Sequence, residues 1–477
     1  MTVMFWPVAI FMAISLAIGL YTYTQVRGSS RRFAVCGKSL PFIVVGTALM
    51  AQAVDGNSTL GAVSLTYTGS VWGGFMISLG LGISLVIVGR FLAEPLNQMN
   101  LLTLPEFFFR RYGKSTELLV SLLTIVSFTI LIAGNLSAVA WVLSVVSGVD
   151  YLSALAISTL VIAAYTIAGG LYSAIWTDFV QEYLALIGFV AAAGWLLATR
   201  GLTPMIAAVP PATVDVTSLL SRDGGALANW AGLVALAFGN AMALDFMERV
   251  FAAKDGGTAR RACYYGAFMT VFIGACVAVI GLASVATIQG VADPRMVLPS
   301  FAVNALPYWI GVLVFVGILG ASMSTANGAI LVISLVLSRS VIQRWRSAAS
   351  GDAATLRLFR LMALPTAAAA ALVAYVRPEP GVLLIVAFDI VFAGCVVPLF
   401  AGVYWPKANS AGAVVSILVG TSARLIAHFA TPPEWVGLDT LIPPVLGALA
   451  FCATCQLTWR PQESRHYVLT EAAQEVI

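Results

Sequence analysis

The chain has 477 residues, of which 60% are hydrophobic and only 10% charged, and its mean hydropathy is +0.95. Soluble domains carry roughly 25% charged residues, so this composition excludes an ordinary water-soluble globule. The net charge of +4 is spread through short segments and forms no basic patch for nucleic acid.

Apolar runs long enough to cross a hydrocarbon core of about 30 Å recur along the whole sequence. The expected class is all-α, a polytopic membrane protein with 13 transmembrane helices centred near residues 13, 51, 84, 132, 160, 188, 238, 276, 323, 367, 391, 418 and 448. The first run is read as a retained helix, not a cleaved leader. No positive segment precedes it, and Arg27, Arg31, Arg32 and Lys38 follow it. An odd number of spans puts the termini on opposite sides. With the N-terminus outside, Arg200, Arg222, Arg295, Arg377 and Arg424 face outward, and the other twenty of 25 basic residues face the cytoplasm. The inner clusters are Arg110, Arg111 and Lys114; Arg249, Lys254, Arg260 and Arg261; and Arg339, Arg344, Arg346, Arg357 and Arg360. That positive-inside bias predicts a cell (inner) membrane protein with a cytoplasmic C-terminus.

The second span carries Gln52, Asp55, Gly56, Asn57, Ser58 and Thr59 at its middle. A carboxylate at that depth is costly unless it pairs or faces water, and Gly-Asn weakens the helix beside it. A broken helix lining a solute site is expected. The seventh span has a comparable interruption, with Gly239, Asn240 and Asp245. Two interrupted spans five apart suggest an inverted repeat of five plus five helices, at about 38–200 and 226–430 within one transporter domain covering 1–477. In the ninth span, Ala321, Ser324 and Thr325 stand at i, i+3 and i+4, on one helical face. Two hydroxyls with exposed carbonyls form a hard-oxygen environment for a small cation; tight helix packing is the other reading of such residues. Asp389, in the eleventh span, is either a gate or ion-relay group or a locally paired structural acid.

Other chemistry finds little support. Six scattered cysteines give no disulfide framework, and Cys452 and Cys455 form a C-x-x-C inside an apolar run without metal-ligand partners. His428 and His466 make no zinc or general-base set, and no HExxH or GxSxG occurs, so an enzyme is not expected. A sensor reading lacks room for an output domain, since about 18 residues follow the last span.

LTLPEFFFRRYG at 102–113, YTIAGGLYSAIWTDFVQ at 165–181 and GASMSTANGAIL at 320–331 resemble the sodium:solute symporter family. FMERVFAAKD at 246–255 and YWPKANSAGAVV at 404–415 extend the likeness over about residues 35–430. The resemblance implies a LeuT-type fold with one extra N-terminal and two extra C-terminal helices. It also implies sodium-coupled import of a small organic solute by alternating access, with proton coupling as the rival. The sodium (Na+) ligands it implies are the carbonyls of Ala51, Val54 and Ala321 and the hydroxyls of Ser324 and Thr325. Asp178, in the WTD motif, matches a family acid associated with sodium passage; a helix N-cap is its plainer reading. The pattern is nearest to the high-affinity choline branch. Yet Ala53, Leu131 and Ala243 stand where that branch's aromatic cage is expected. Asp55, Gly56, Asn57, Asn240 and Asp245 are the expected solute contacts, with the two acids favouring an amine or other cationic or zwitterionic solute. Lipid, sodium and solute are the partners expected, with no nucleic acid and no obligate protein partner.

Overall fold

The computed structural model describes residues 4–21, 36, 38–288, 290–291, 293–343 and 352–459. The basic residues Arg27, Arg31, Arg32, Arg344 and Arg346, and also His466, lie outside these. Helices dominate: α1 (Phe5–Tyr21), α2 (Phe42–Ala53), α3 (Gly56–Thr68), α4 (Val71–Gln98), α5 (Leu104–Tyr112), α6 (Lys114–Ser147), α7 (Tyr151–Ala168) and α8 (Ala174–Thr199). After short helical turns come α9 (Ala226–Met242), α10 (Leu244–Ala252), α11 (Gly256–Thr287), α12 (Val297–Asn304) and α13 (Tyr308–Gln343). The last are α14 (Ala353–Val376), α15 (Val382–Gly394), α16 (Val396–Tyr404), α17 (Ser410–Ala430) and α18 (Leu438–Thr458).

Nine described helices are long and apolar enough to cross a membrane, or eleven if each bent pair, α9 with α10 and α15 with α16, is one span. The two shorter apolar helices, α1 and α2, fall at the first and second predicted centres. Outward faces stay apolar, with Leu160, Phe268, Phe429 and Leu457 exposed, as expected where lipid is the solvent.

Long helices pack around α13, which lies against α6 and α8, while α11 lies on α2, α3 and α4. α17 and α18 pair with each other and rest on α15. Small residues permit close approach, as between membrane helices generally: Gly188 and Gly317 bring α8 and α13 together. Between α7 and α8 the chain turns at Gly170, whose φ of 57° and ψ of −139° break the helix.

Two residues counted among the loop charges belong elsewhere. Arg249 is fully buried within α10, and Arg424 lies inside α17 against Asp389 and Asp439. A guanidinium cannot sit alone in such surroundings, so acids from distant parts of the chain fold onto each.

Candidate functional site

The α2–α3 break forms as its sequence suggests. Helix α2 stops at Ala53, Val54 and Asp55 leave helical geometry, and α3 starts at Gly56. Asp55 caps α3: its carboxylate accepts from the Ser58 amide at 2.7 Å, and the Ser58 hydroxyl lies 2.9 Å from the Asp55 amide, a reciprocal capping box. Ending α2 leaves its last carbonyls without helical partners. One of them, Ala51, accepts a hydrogen bond from the Thr325 hydroxyl at 3.1 Å. Ala51, Val54, Ala321, Ser324 and Thr325 are all buried, so the hydroxyl face of α13 meets the break and does not turn toward lipid.

Ser324 donates to Asp178 at 2.5 Å. Asp178 is one turn inside α8, so it caps no helix. Its other oxygen accepts from Arg249 at 3.1 Å. Arg249 also reaches Glu248 at 3.5 Å and the Asp245 carbonyl at 3.2 Å. Gln52 completes the cluster, with its amide donating to Asp245 at 3.1 Å and its carbonyl accepting from Arg249 at 3.0 Å, 3.3 Å from Ser324. One buried guanidinium thus stands among buried Asp178, Asp245 and Glu248, with buried Asp55 and Glu182 also near. Acidic side chains outnumber the basic one in this cluster.

On the far side of the break, Asp55 accepts from Asn135 at 2.7 Å and from Asn57 at 3.3 Å, and both amides also reach the Leu131 carbonyl. The carbonyl oxygens of Asn57 and Asn135 are buried without a partner. Asn240 lies where α9 tightens from a π turn into a 3₁₀ turn, and both of its amide atoms are likewise buried and unpaired. Buried polar atoms are nearly always bonded, and these groups keep hydrogen-bonding capacity beyond what the protein supplies.

Gly56, expected as a solute contact, and Asp389, expected as a gate or ion-relay group or a paired structural acid, have distinct settings. Gly56 packs where a Cβ would collide with Ser322 of α13 and Ala138 of α6, so it is a point of close helix approach. Gly56→Ala should cost about 1–3 kcal/mol, read as a lower Tm in a thermal-shift assay; an unchanged Tm would refute that packing role. Asp389 sits apart from this cluster, bonded to Arg424 of α17 and, at 3.2 Å, to Thr440 of α18. Sequence reasoning missed Asn135, Glu182 and the role of Arg249. An Asn inside the apolar α6 and a Glu inside the apolar α8 were the signals that could have found the first two.

The match to the model of the sodium:solute symporter family spans residues 33–420. A sodium/glucose cotransporter of Vibrio parahaemolyticus is 23% identical over 94% of this chain and 89% of its own. A high affinity choline transporter of Homo sapiens is 23% identical over 88% of this chain and 75% of its own. Among solved structures, a Na+-coupled sialic acid symporter in a substrate-bound outward-open state superposes with a TM-score of 0.79. That match has 18% identity and covers 96% of this chain and 98% of that one, and it shows a shared fold. With most of its length inside the family match, this chain belongs to the sodium:solute symporter family, and it is a multi-pass membrane transporter with sodium as coupling ion, not an enzyme.

Proposed function

We propose that this protein imports a small organic solute bearing an amine, cationic or zwitterionic, together with sodium. The apposition of Ala51 and Thr325 across the α2–α3 break carries the reading. Sodium enters between them, taking the carbonyls of Ala51, Val54 and Ala321 and the hydroxyls of Ser324 and Thr325. Binding there ties the broken helix to α13, stabilises the outward-facing conformation and so tightens solute binding; solute tightens sodium equally. Asp178, already bonded to Ser324, receives the ion on its way to the cytoplasm.

The solute binds at Asp55, Asn57, Asn135, Asn240 and Asp245. Open carbonyl oxygens on Asn57 and Asn135 ask for N–H or O–H donors, and the surrounding carboxylates favour an ammonium. The chain spans the cell membrane thirteen times with the N-terminus outside, and residues 38–200 and 226–430 form two inverted repeats. Asp389 fastens α15 to α17 and α18.

Proteoliposome uptake of labelled small amines and amino acids, with the inward sodium gradient exchanged for potassium at fixed pH, tests this. Uptake that requires sodium supports the reading. Uptake that follows only a pH gradient, or is confined to carboxylates without an amine, overturns it.

A further inference from the structure

A cavity of about 250 Å³ opens between α15 and α17, neither of which supplies a residue to the cluster around Arg249. Helix α15 gives it Val386, Asp389 and Ile390, at i, i+3 and i+4. Helix α17 gives it Thr421, Arg424, Leu425 and His428, at i, i+3, i+4 and i+7. One face of each helix therefore lines the space. Val386, Ile390 and Leu425 make most of its wall apolar. Its floor is polar. The Asp389 side chain is only 4% exposed, and one carboxylate oxygen, Oδ2, takes both of its bonds, from Arg424 and, at 3.2 Å, from Thr440. The other oxygen, Oδ1, is buried without a partner, as are the Thr421 hydroxyl and Nη1 of Arg424. Nη1 lies 3.3 Å from an Asp439 oxygen, an ion pair without hydrogen-bond alignment. An acceptor, a hydroxyl and a donor thus keep bonding capacity beyond what the protein supplies, and the residues that bear them share one cavity.

Size and setting narrow the occupant. A cavity of about 150 Å³ accepts benzene, so this one has room for roughly ten non-hydrogen atoms. Leu425 is exposed at the rim, as are Leu418, Ile426 and Phe429 of the same membrane-spanning helix, so the mouth faces hydrocarbon. An alcohol can donate to Asp389 while it accepts from Thr421 or Arg424. A carboxylate has no proton for Asp389, and an ammonium has no lone pair for Arg424. We propose that this cavity binds a neutral membrane amphiphile, with its hydroxyl head on Asp389, Thr421 and Arg424 and its apolar chain along Val386, Ile390 and Leu425. This site rests on none of the sodium or solute assignments above.

Photolabelling of the full chain in lipid nanodiscs with a diazirine-bearing octanol, mapped by mass spectrometry, tests the site. Label should concentrate on residues 386–390 and 421–428. Excess octanol should displace it at concentrations where octane, octanoate and octylamine displace little. Thr421→Val, which keeps the side chain's shape, should raise the octanol concentration for half displacement roughly 2- to 10-fold. Ile390→Trp, which fills the cavity, should abolish the label. Label spread evenly over the lipid-facing helices, or displaced equally by octane, is partition onto apolar surface and overturns the site. Equal displacement by octylamine or octanoate overturns the hydroxyl head, and an unchanged Thr421→Val overturns the polar floor. If the wild type takes no label on these two segments, the cavity holds only water, and the proposal fails whether or not any variant folds.

Discussion

Exchanging Arg249 for methionine is expected to destabilise the protein more than any other single change proposed here. Arg249 is completely buried, and its guanidinium serves Asp178, Glu248, the Asp245 carbonyl and Gln52 at once. Removing it strands these acids without a cation, and breaking a buried pair in this way costs about 3–5 kcal/mol. A companion change separates pairing from packing. Asp178→Asn in the Arg249→Met background removes one stranded charge, so the double variant should recover part of the loss in thermal-shift Tm. Arg249→Lys keeps the charge but not the fork that reaches several partners, and should fall between the two. Additive effects of Arg249→Met and Asp178→Asn would show that the two side chains are not coupled. The pair ties α10 to α8, so uptake by the double variant, whose stability is partly restored, separates a transport role of the pair from its structural one.

The second large effect is expected at Thr325. Thr325→Val keeps the shape of the side chain and removes the hydroxyl that meets the Ala51 carbonyl. A lone-pair contact to a charged group is worth about 1.5–3 kcal/mol, or roughly 10- to 150-fold in affinity. Radioactive-sodium binding to purified Thr325→Val should weaken by that factor, with the sodium-free Tm lowered only by the loss of one buried hydrogen bond, about 1–3 kcal/mol, and Thr325→Ser should bind as the wild type does. Ser324→Ala should lose sodium binding too, although it also strips a hydrogen bond from Asp178 and so affects two functions together. Wild-type sodium affinity in Thr325→Val would remove the proposed site.

Local patterns, which depend on near neighbours in the chain, were legible from residues alone. Hydropathy located the helices, because lipid demands that each crossing segment bond its own backbone. The break at Val54 and Asp55 was visible because Asp-Gly-Asn-Ser caps a new helix better than it continues an old one. The hydroxyls of Ser324 and Thr325 could be placed on one face by helical spacing. The identity of their partners was not legible. Asp178 and Arg249 are 71 residues apart, and Asp389 and Arg424 are 35 apart. A residue's chemistry does not say which distant charge will neutralise it. Arg249 read as one more cytoplasmic basic residue and proved to be buried among acids, and the close contact of Gly56 with Ser322 and Ala138 was not legible either. Sequence fixes where polar groups enter the apolar interior, since that is a cost borne residue by residue. Only the packing of α2, α8, α10 and α13 decides which of those groups satisfy one another and which, like the Glu182 carboxyl, find no partner in the protein.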